Sequence, residues 1–319
     1  MYPRQRGEAT VLPPVWRNPI MSVSREQTAV TCAMLGAFPQ TARRGVPMSA
    51  QTDNVSQFRA LHQGGDVLLL ANAWDAGSAG LIAASGAKAI GTTSSGVAWS
   101  CGYADGGALP IGRLMVAVAD ILRVCDVPVS IDIEDGYSDD PVAVADLAVA
   151  LAEAGASGVN LEDKAAPPEG LAAKLSATRE ALKAAGLDLY LNARTDVYLR
   201  RIAQGRAAIE ETLKRAAIYQ AAGADGLFVP ALADAEAMQV ISTGAQGLPL
   251  NVMAVPNLPE LAVMRDAGVS RLSLGGAISG RAFALARDLA AGFLKTGSLA
   301  EIYGGPSLNY AETNALFKR

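Results

Sequence analysis

The sequence predicts an α/β protein: a (β/α)8 TIM barrel followed by a C-terminal helical extension. Eight short apolar runs alternate with longer Ala- and Leu-rich helical patterns between residues 66 and 294, the order expected of a strand–helix barrel. Several helical patterns end in a Gly followed at once by the next strand, as in AASGAKAIG, AEAGASGVN, QAAGADGLF and RDAGVSRLS. Gly there can turn left-handed at no steric cost. Half of the residues are hydrophobic but only 5% are aromatic, which favours α/β over a β sandwich. A doubly wound open sheet is the structural alternative, and it expects a Gly-rich phosphate turn after the first strand. The first strand instead runs into ANAWDAGSAG, with neither GxGxxG nor a Walker A motif.

In chain order, the strands fall at 66–72, 88–93, 128–134, 158–162, 188–194, 225–229, 249–253 and 270–274. Helical patterns lie near 76–85, 111–124, 141–154, 171–185, 207–222, 233–242, 258–267 and 277–294. The organisation divides into an N-terminal tail (1–50), the barrel (51–295) and two short helices in the extension (296–319). The tail carries six Arg against two acids, and the remainder 21 basic against 29 acidic residues. The Arg-rich tail reads as a disordered segment or an early start, with a transit peptide as the rarer reading. MSAQTDNVSQFRALH, from Met48, reads as the natural opening of the folded part.

Composition excludes several classes. The net charge of −4 and the lack of basic runs argue against nucleic acid and against an anionic membrane surface. No apolar run reaches the roughly eighteen residues of a membrane helix, and the N-terminal stretch lacks a secretory signal. A cytoplasmic enzyme is expected. The cysteines Cys32, Cys101 and Cys125 form no CxxC pair. Cys101, after strand two, defaults to a small hydrophobe. A single histidine, His62, stands ahead of the barrel and reads as a surface or packing residue. It rules out a His-rich zinc site, so any metal must be held by oxygen.

Active sites of parallel barrels lie at the C-terminal ends of the strands. Strand three ends in Ser130, Asp132 and Glu134 on one side by the two-residue period. Strand four places Asn160 and Glu162 together, and strand five pairs Asn192 with Arg194. Asp132, Glu134 and Glu162 supply hard oxygen ligands suited to Mg²⁺ or Mn²⁺. An inward-facing acid cluster without a cation costs several kcal/mol in repulsion and desolvation. Arg194 can fork a substrate carboxylate, and Thr92, Thr93, Ser94, Ser95 and Gly96 offer hydroxyls and amides for another. The bland reading makes Asp135, Asp139 and Asp163 helix N-caps, and has Ser94 and Ser95 cap a turn.

As an ordered set, TTSSGVAWSCGYADG, SIDIEDGY, GVNLEDK, NARTD and RLSLGGA resemble the isocitrate lyase/phosphoenolpyruvate mutase superfamily over about residues 57–295. The resemblance implies a Mg²⁺-dependent enzyme that makes or breaks C–C or P–C bonds beside a small 2-oxo acid or enolpyruvate. It also implies a tetramer, a dimer of dimers that exchange their last barrel helix. By motif, Asp132 corresponds to the principal metal-binding acid, Glu134 to one acting through water and Glu162 to the strand-four glutamate. Arg194 matches the substrate-carboxylate arginine, Ser95 and Gly96 the 2-oxo carboxylate pocket, and Asp105 an acid near the metal. The lyases carry a Lys-Cys-Gly-His type motif after strand four, and the phosphonomutases a Lys-Thr-Asn-Ser type motif. Here that loop reads EDKAAPPEGLAAKLS, without Cys, His or Asn. That argues against a cysteine-dependent isocitrate or 2-methylisocitrate lyase, and Lys164 in the same loop reads either as a group acting on the substrate or as a solvated loop lysine. The expected reaction is decarboxylation or retro-aldol cleavage of a 2-oxo dicarboxylate, with Asp132, Glu162, Arg194 and Lys164 as catalytic candidates. Ser95, Gly96, Asp105 and Asn192 join Arg194 as substrate contacts. A P–C bond enzyme and a binding-only barrel are the alternatives.

Overall fold

The computed structural model describes residues 48–318. The readings made for residues 1–47 lie outside these. Eight parallel strands close in sequence order: β1 Leu68–Ala73, β2 Ile90–Thr92, β3 Val129–Asp132, β4 Gly158–Glu162, β5 Tyr190–Arg194, β6 Gly226–Val229, β7 Leu250–Met253 and β8 Val269–Ser273. β8 pairs back onto β1, with Leu70 opposite Ser273. The four glycines expected to end helices are all left-handed, with φ of 90° at Gly86, 102° at Gly155, 94° at Gly223 and 80° at Gly268.

Two helices add to the sequence reading. α1, Met48–Ala60, sits under the barrel, where Phe58 packs on Leu68, Leu70, Ala89 and Tyr190. It begins inside the stretch assigned to the tail. A short helix, Ser94–Ser100, occupies what the sequence reads as a turn after β2. Ser94 and Ser95 therefore lie in its first turn. Aspartates cap elsewhere than expected. Asp140, not Asp139, caps the helix Pro141–Glu153, accepting from the Val142 N–H at 3.0 Å. Pro167 precedes Pro168–Ala185 without a side-chain cap, so neither Asp135 nor Asp163 is an N-cap.

Outward residues such as Ile131, Val159, Leu191 and Leu227 are fully covered, as strand alternation requires. Above the apolar floor around Leu68 and Leu70 the inside is polar. Asn192 donates to the side-chain oxygens of Asn160 (2.9 Å) and Asn251 (3.1 Å), and Arg271 reaches Asn160 at 3.4 Å. His62 is buried. Its ring stacks on Tyr190 with centroids 4.4 Å apart, and its Nδ1 lies 2.7 Å from the Phe58 carbonyl. It is the packing residue of the two expected alternatives. Cys101 and Cys125 form no disulfide.

The extension carries the short helices Ala300–Tyr303 and Tyr310–Ala315. The long helix before it, Ala277–Thr296, buries only Ser279.

Candidate active site

The strand ends gather the acids that the sequence singles out. Asp132 closes β3. Its N–H donates to the Thr92 hydroxyl at 2.8 Å, and its Oδ1 accepts from the Glu134 N–H at 3.0 Å. The strand stops there, so simple alternation does not bring Glu134 into the site. Glu134 instead has a left-handed backbone, φ 51°, and its carbonyl accepts from the Glu162 N–H at 2.8 Å. The turn, rather than the pleat, aims its side chain at the mouth. Asp132, Glu134 and Glu162 are all buried.

Left-handed conformations in residues other than glycine are uncommon and cluster at functional sites. Among the described residues, Glu134, Tyr137 (φ 59°), Lys164 (47°) and Ala165 (67°) fall in the two loops that follow β3 and β4. These loops meet across the mouth. The Lys164 ammonium lies 3.1 Å from Asp135 and 3.7 Å from Glu134. The Tyr137 hydroxyl donates to Glu134, and burial pushes this phenol up, the charges of Glu134, Asp132 and Asp105 adding to the effect.

The electrostatics are those of crowded acids. Burial raises the Asp132 carboxyl, and the negative charge of Asp105 adds to the rise while Arg194 opposes it. Burial likewise raises Glu134, which the Gly107 N–H opposes and Asp105 reinforces. Glu162 is pushed up to about 8. Burial is the main cause, Arg194 opposes it, and Asp132 and Asp196 add to it. Arg194 is held firmly. Its Nη1 is 2.6 Å from Glu162, its Nε and Nη2 reach Asp196 at 2.8 and 3.3 Å, and its guanidinium lies 5.7 Å from the Phe228 ring.

The other expected contacts surround this cluster, with Asp105 close enough for its charge to act on Asp132 and Glu134. The Ser95 hydroxyl is 3.1 Å from that of Thr93. A Cβ on Gly96 would come within 2.8 Å of Trp74 and Thr93, so only glycine fits there. Asp105 is exposed, in the loop before the helix Ile111–Arg123. Asn192 lies one layer below the mouth, among Asn160 and Asn251.

Among the described residues, no three His, Cys, Asp or Glu side chains are gathered closely enough to hold an ion by themselves. Asp132, Glu134 and Glu162 are therefore not a closed three-carboxylate nest. Mg²⁺ usually keeps several waters and takes only one or two carboxylates directly, so the acid-rich mouth fits such an ion without closing around it.

Alternation could not reveal Asp196 or Tyr137, because both lie beyond a strand end. Asp196 stands two residues after Arg194 in NARTD and Tyr137 follows Gly136 in IEDGY. A short-range pairing of acid with arginine was the available clue for the first.

Comparison with known proteins places the chain in a family. The family profile for phosphoenolpyruvate phosphomutase covers residues 58–294. The chain belongs to the isocitrate lyase/phosphoenolpyruvate mutase superfamily. An uncharacterized protein of Mycobacterium tuberculosis is 39% identical over 68% of this chain and 81% of its own. A solved Burkholderia cenocepacia J2315 protein, named as a candidate phosphonomutase, is 38% identical with a TM-score of 0.71, covering 75% of this chain and 98% of that one. A 2-methylisocitrate lyase of Halalkalibacterium halodurans is 27% identical over 73% of this chain and 75% of its own. An oxaloacetate decarboxylase of Pseudomonas savastanoi pv. phaseolicola is 28% identical over 68% and 75%. An enzyme of this superfamily is thus the class to which the barrel belongs.

Proposed function

We propose that the chain is a Mg²⁺- or Mn²⁺-dependent lyase that cleaves a C–C bond of a small 2-oxo dicarboxylate such as oxaloacetate. One observation carries the reading: Asp132, Glu134 and Glu162 crowd one mouth with Arg194 beside them, while the loop after β4 offers no cysteine or histidine. Asp132 would hold the ion directly, with Glu134, Glu162 and Asp105 reaching it through water. Bound there, the ion would supply Lewis-acid stabilisation of the enolate formed when a bond beta to the ketone breaks. Arg194, preset by Asp196, would bind one carboxylate. Ser95 and Gly96 would hold the 2-oxo carboxylate, and Asn192 would support the mouth from below through Asn160. Lys164 would cover the site from the loop after β4. Decarboxylation needs no proton removed before the bond breaks, which suits a loop without the usual acid–base residue. A relative with oxaloacetate decarboxylase activity by name supports this choice. The candidate phosphonomutase keeps P–C chemistry as the second reading.

The functional unit we propose is a homo-oligomer of helix-exchanged pairs. A groove of about 940 Å³ runs along the outside of β1 and β8, lined by Leu61, Leu69, Ile82, Leu261, Leu272 and Ile278. Leu69 on β1 is 55% exposed there, and Phe283, Leu285, Phe293 and Leu294 on the long helix are exposed too. A helix from a second copy would cover both surfaces. No helix among the described residues is long and apolar enough to cross a membrane.

The test is pyruvate release from oxaloacetate by purified protein with Mg²⁺. The reading expects turnover that EDTA abolishes. No turnover of oxaloacetate or related 2-oxo dicarboxylates, with phosphonopyruvate consumed instead, would overturn it.

A further inference from the structure

Asp163 is fully buried, yet it neither caps a helix nor joins the acid cluster. The four hydrogen bonds to its carboxylate run in two directions. Oδ1 accepts from the N–H of Ala165 (3.0 Å) and of Asp196 (3.1 Å). Oδ2 accepts from Arg215 Nη1 and from the Tyr219 hydroxyl, both at 2.7 Å. Arg215 and Tyr219 belong to the helix Arg206–Ala221. Arg215 also donates to the Ala166 carbonyl at 2.9 Å and is gripped by Glu211 at 2.7 Å.

Each contact on the mouth side leads to a cation. Through the Asp196 backbone, Asp163 fixes the carboxylate that takes Arg194 Nε and Nη2. Through the Ala165 backbone, it fixes the two consecutive left-handed residues that hold Lys164 over Asp135 and Glu134. A buried carboxylate with four donors is among the stiffer anchors a protein can build, because hydrogen bonds to a charged group are short and strong. Such a backbone conformation persists only where its surroundings over-determine it.

We propose that Asp163 is a positioning residue: anchored by Arg215 and Tyr219, it sets the separation of Arg194 and Lys164 and so the affinity of the mouth for an anionic substrate. Asp163 touches neither substrate nor ion and acts only through the two loops. The inference rests on the proposed reading of the mouth as the substrate site.

The experiment uses the full chain with Asp163→Asn, Tyr219→Phe and, as a control for general destabilisation, Asp225→Asn at the opposite end of the barrel. Two readouts are taken: hydrogen exchange of segments 163–167 and 194–198, and calorimetric binding of oxalate, a planar analogue of a 2-oxo enolate, with Mn²⁺ present. Asp163→Asn is expected to speed exchange in both segments together and to weaken oxalate about tenfold. Tyr219→Phe should move both in the same direction, about threefold for oxalate. Asp225→Asn should leave both unchanged despite lower melting. Exchange rising in one segment alone or in neither would overturn the proposal. So would unchanged oxalate affinity in Asp163→Asn, or an equal loss in Asp225→Asn. If the unmodified protein binds no oxalate, the substrate reading fails, and the exchange result alone then decides whether Asp163 couples the loops.

Discussion

At the base of the barrel Asp188 and Asp225 meet Arg59 and Arg179, whereas at the mouth Asp132, Glu134 and Glu162 crowd one another and share Arg194 and Lys164. The base pairs close a ring. Arg59 reaches Asp188 at 2.9 Å and also pairs with Asp225, and Arg179 reaches Asp188 at 3.0 Å and Asp225 at 2.6 Å. Asp225 also accepts from the Leu191 N–H at 2.8 Å. That ring ties α1 to the ends of β5 and β6 and leaves little charge uncompensated. The mouth does the reverse: burial and neighbouring acids raise Asp132 and Glu134 and bring Glu162 up to about 8. Left-handed residues gather there too. Acids arranged for stability are neutralised by the protein itself. Acids arranged for chemistry are left for something that binds.

The comparison predicts different consequences for similar substitutions. The largest effect is expected at Asp132. Asp132→Asn should lower metal-dependent pyruvate formation roughly a thousandfold while folding and melting stay near those of the unmodified protein. A comparable loss of folded protein would instead make Asp132 a structural acid like those at the base.

Asp225→Ala should behave in the opposite way. It strands Arg59 and Arg179 and frees the Leu191 N–H, so urea denaturation should show a loss of about 3 kcal/mol, with turnover per folded molecule unchanged. A drop in kcat without a drop in stability would dissolve the distinction between the two ends.

A smaller effect is expected from His62, also at the base. Burial and the nearby Arg271 guanidinium bring its pKa down to about 3. Between there and the ordinary value of about 6.5, the unfolded chain binds a proton that the folded one refuses. Stability is therefore full above that ordinary value and declines as pH falls toward 3, by up to about 1.4 kcal/mol per pH unit. His62→Phe, which keeps the ring against Tyr190, should flatten that decline when urea midpoints are compared across the window. An unaltered slope would assign the acid sensitivity to other groups.

Most of the fold was legible because it is written in local rules. Every strand was found within a few residues, since apolar runs and helix-ending glycines mark them directly. The helix Ser94–Ser100 escaped because its seven residues, SSGVAWS, carry no amphipathic period to speak of. Asp132, Glu162 and Arg194 were legible as inward positions at strand ends. Glu134 was reached by an alternation that the strand does not sustain, and its placement depends on a left-handed turn. Asp163 read as a cap because one carboxylate linking two loops and a helix 52 residues away leaves no pattern in the local sequence. Arg271 in SRLSL reads as an ordinary strand residue, and nothing local says that it is fully buried inside the barrel.

The most direct test is to soak crystals of the protein with Mn²⁺ and locate the ion by its anomalous scattering. The account predicts one dominant peak at the mouth, against Asp132 and within water-bridging reach of Glu134 and Glu162, that disappears in Asp132→Asn. A mouth without a peak at Mn²⁺ concentrations that fill carboxylate sites elsewhere, or a peak that survives the substitution, would contradict it.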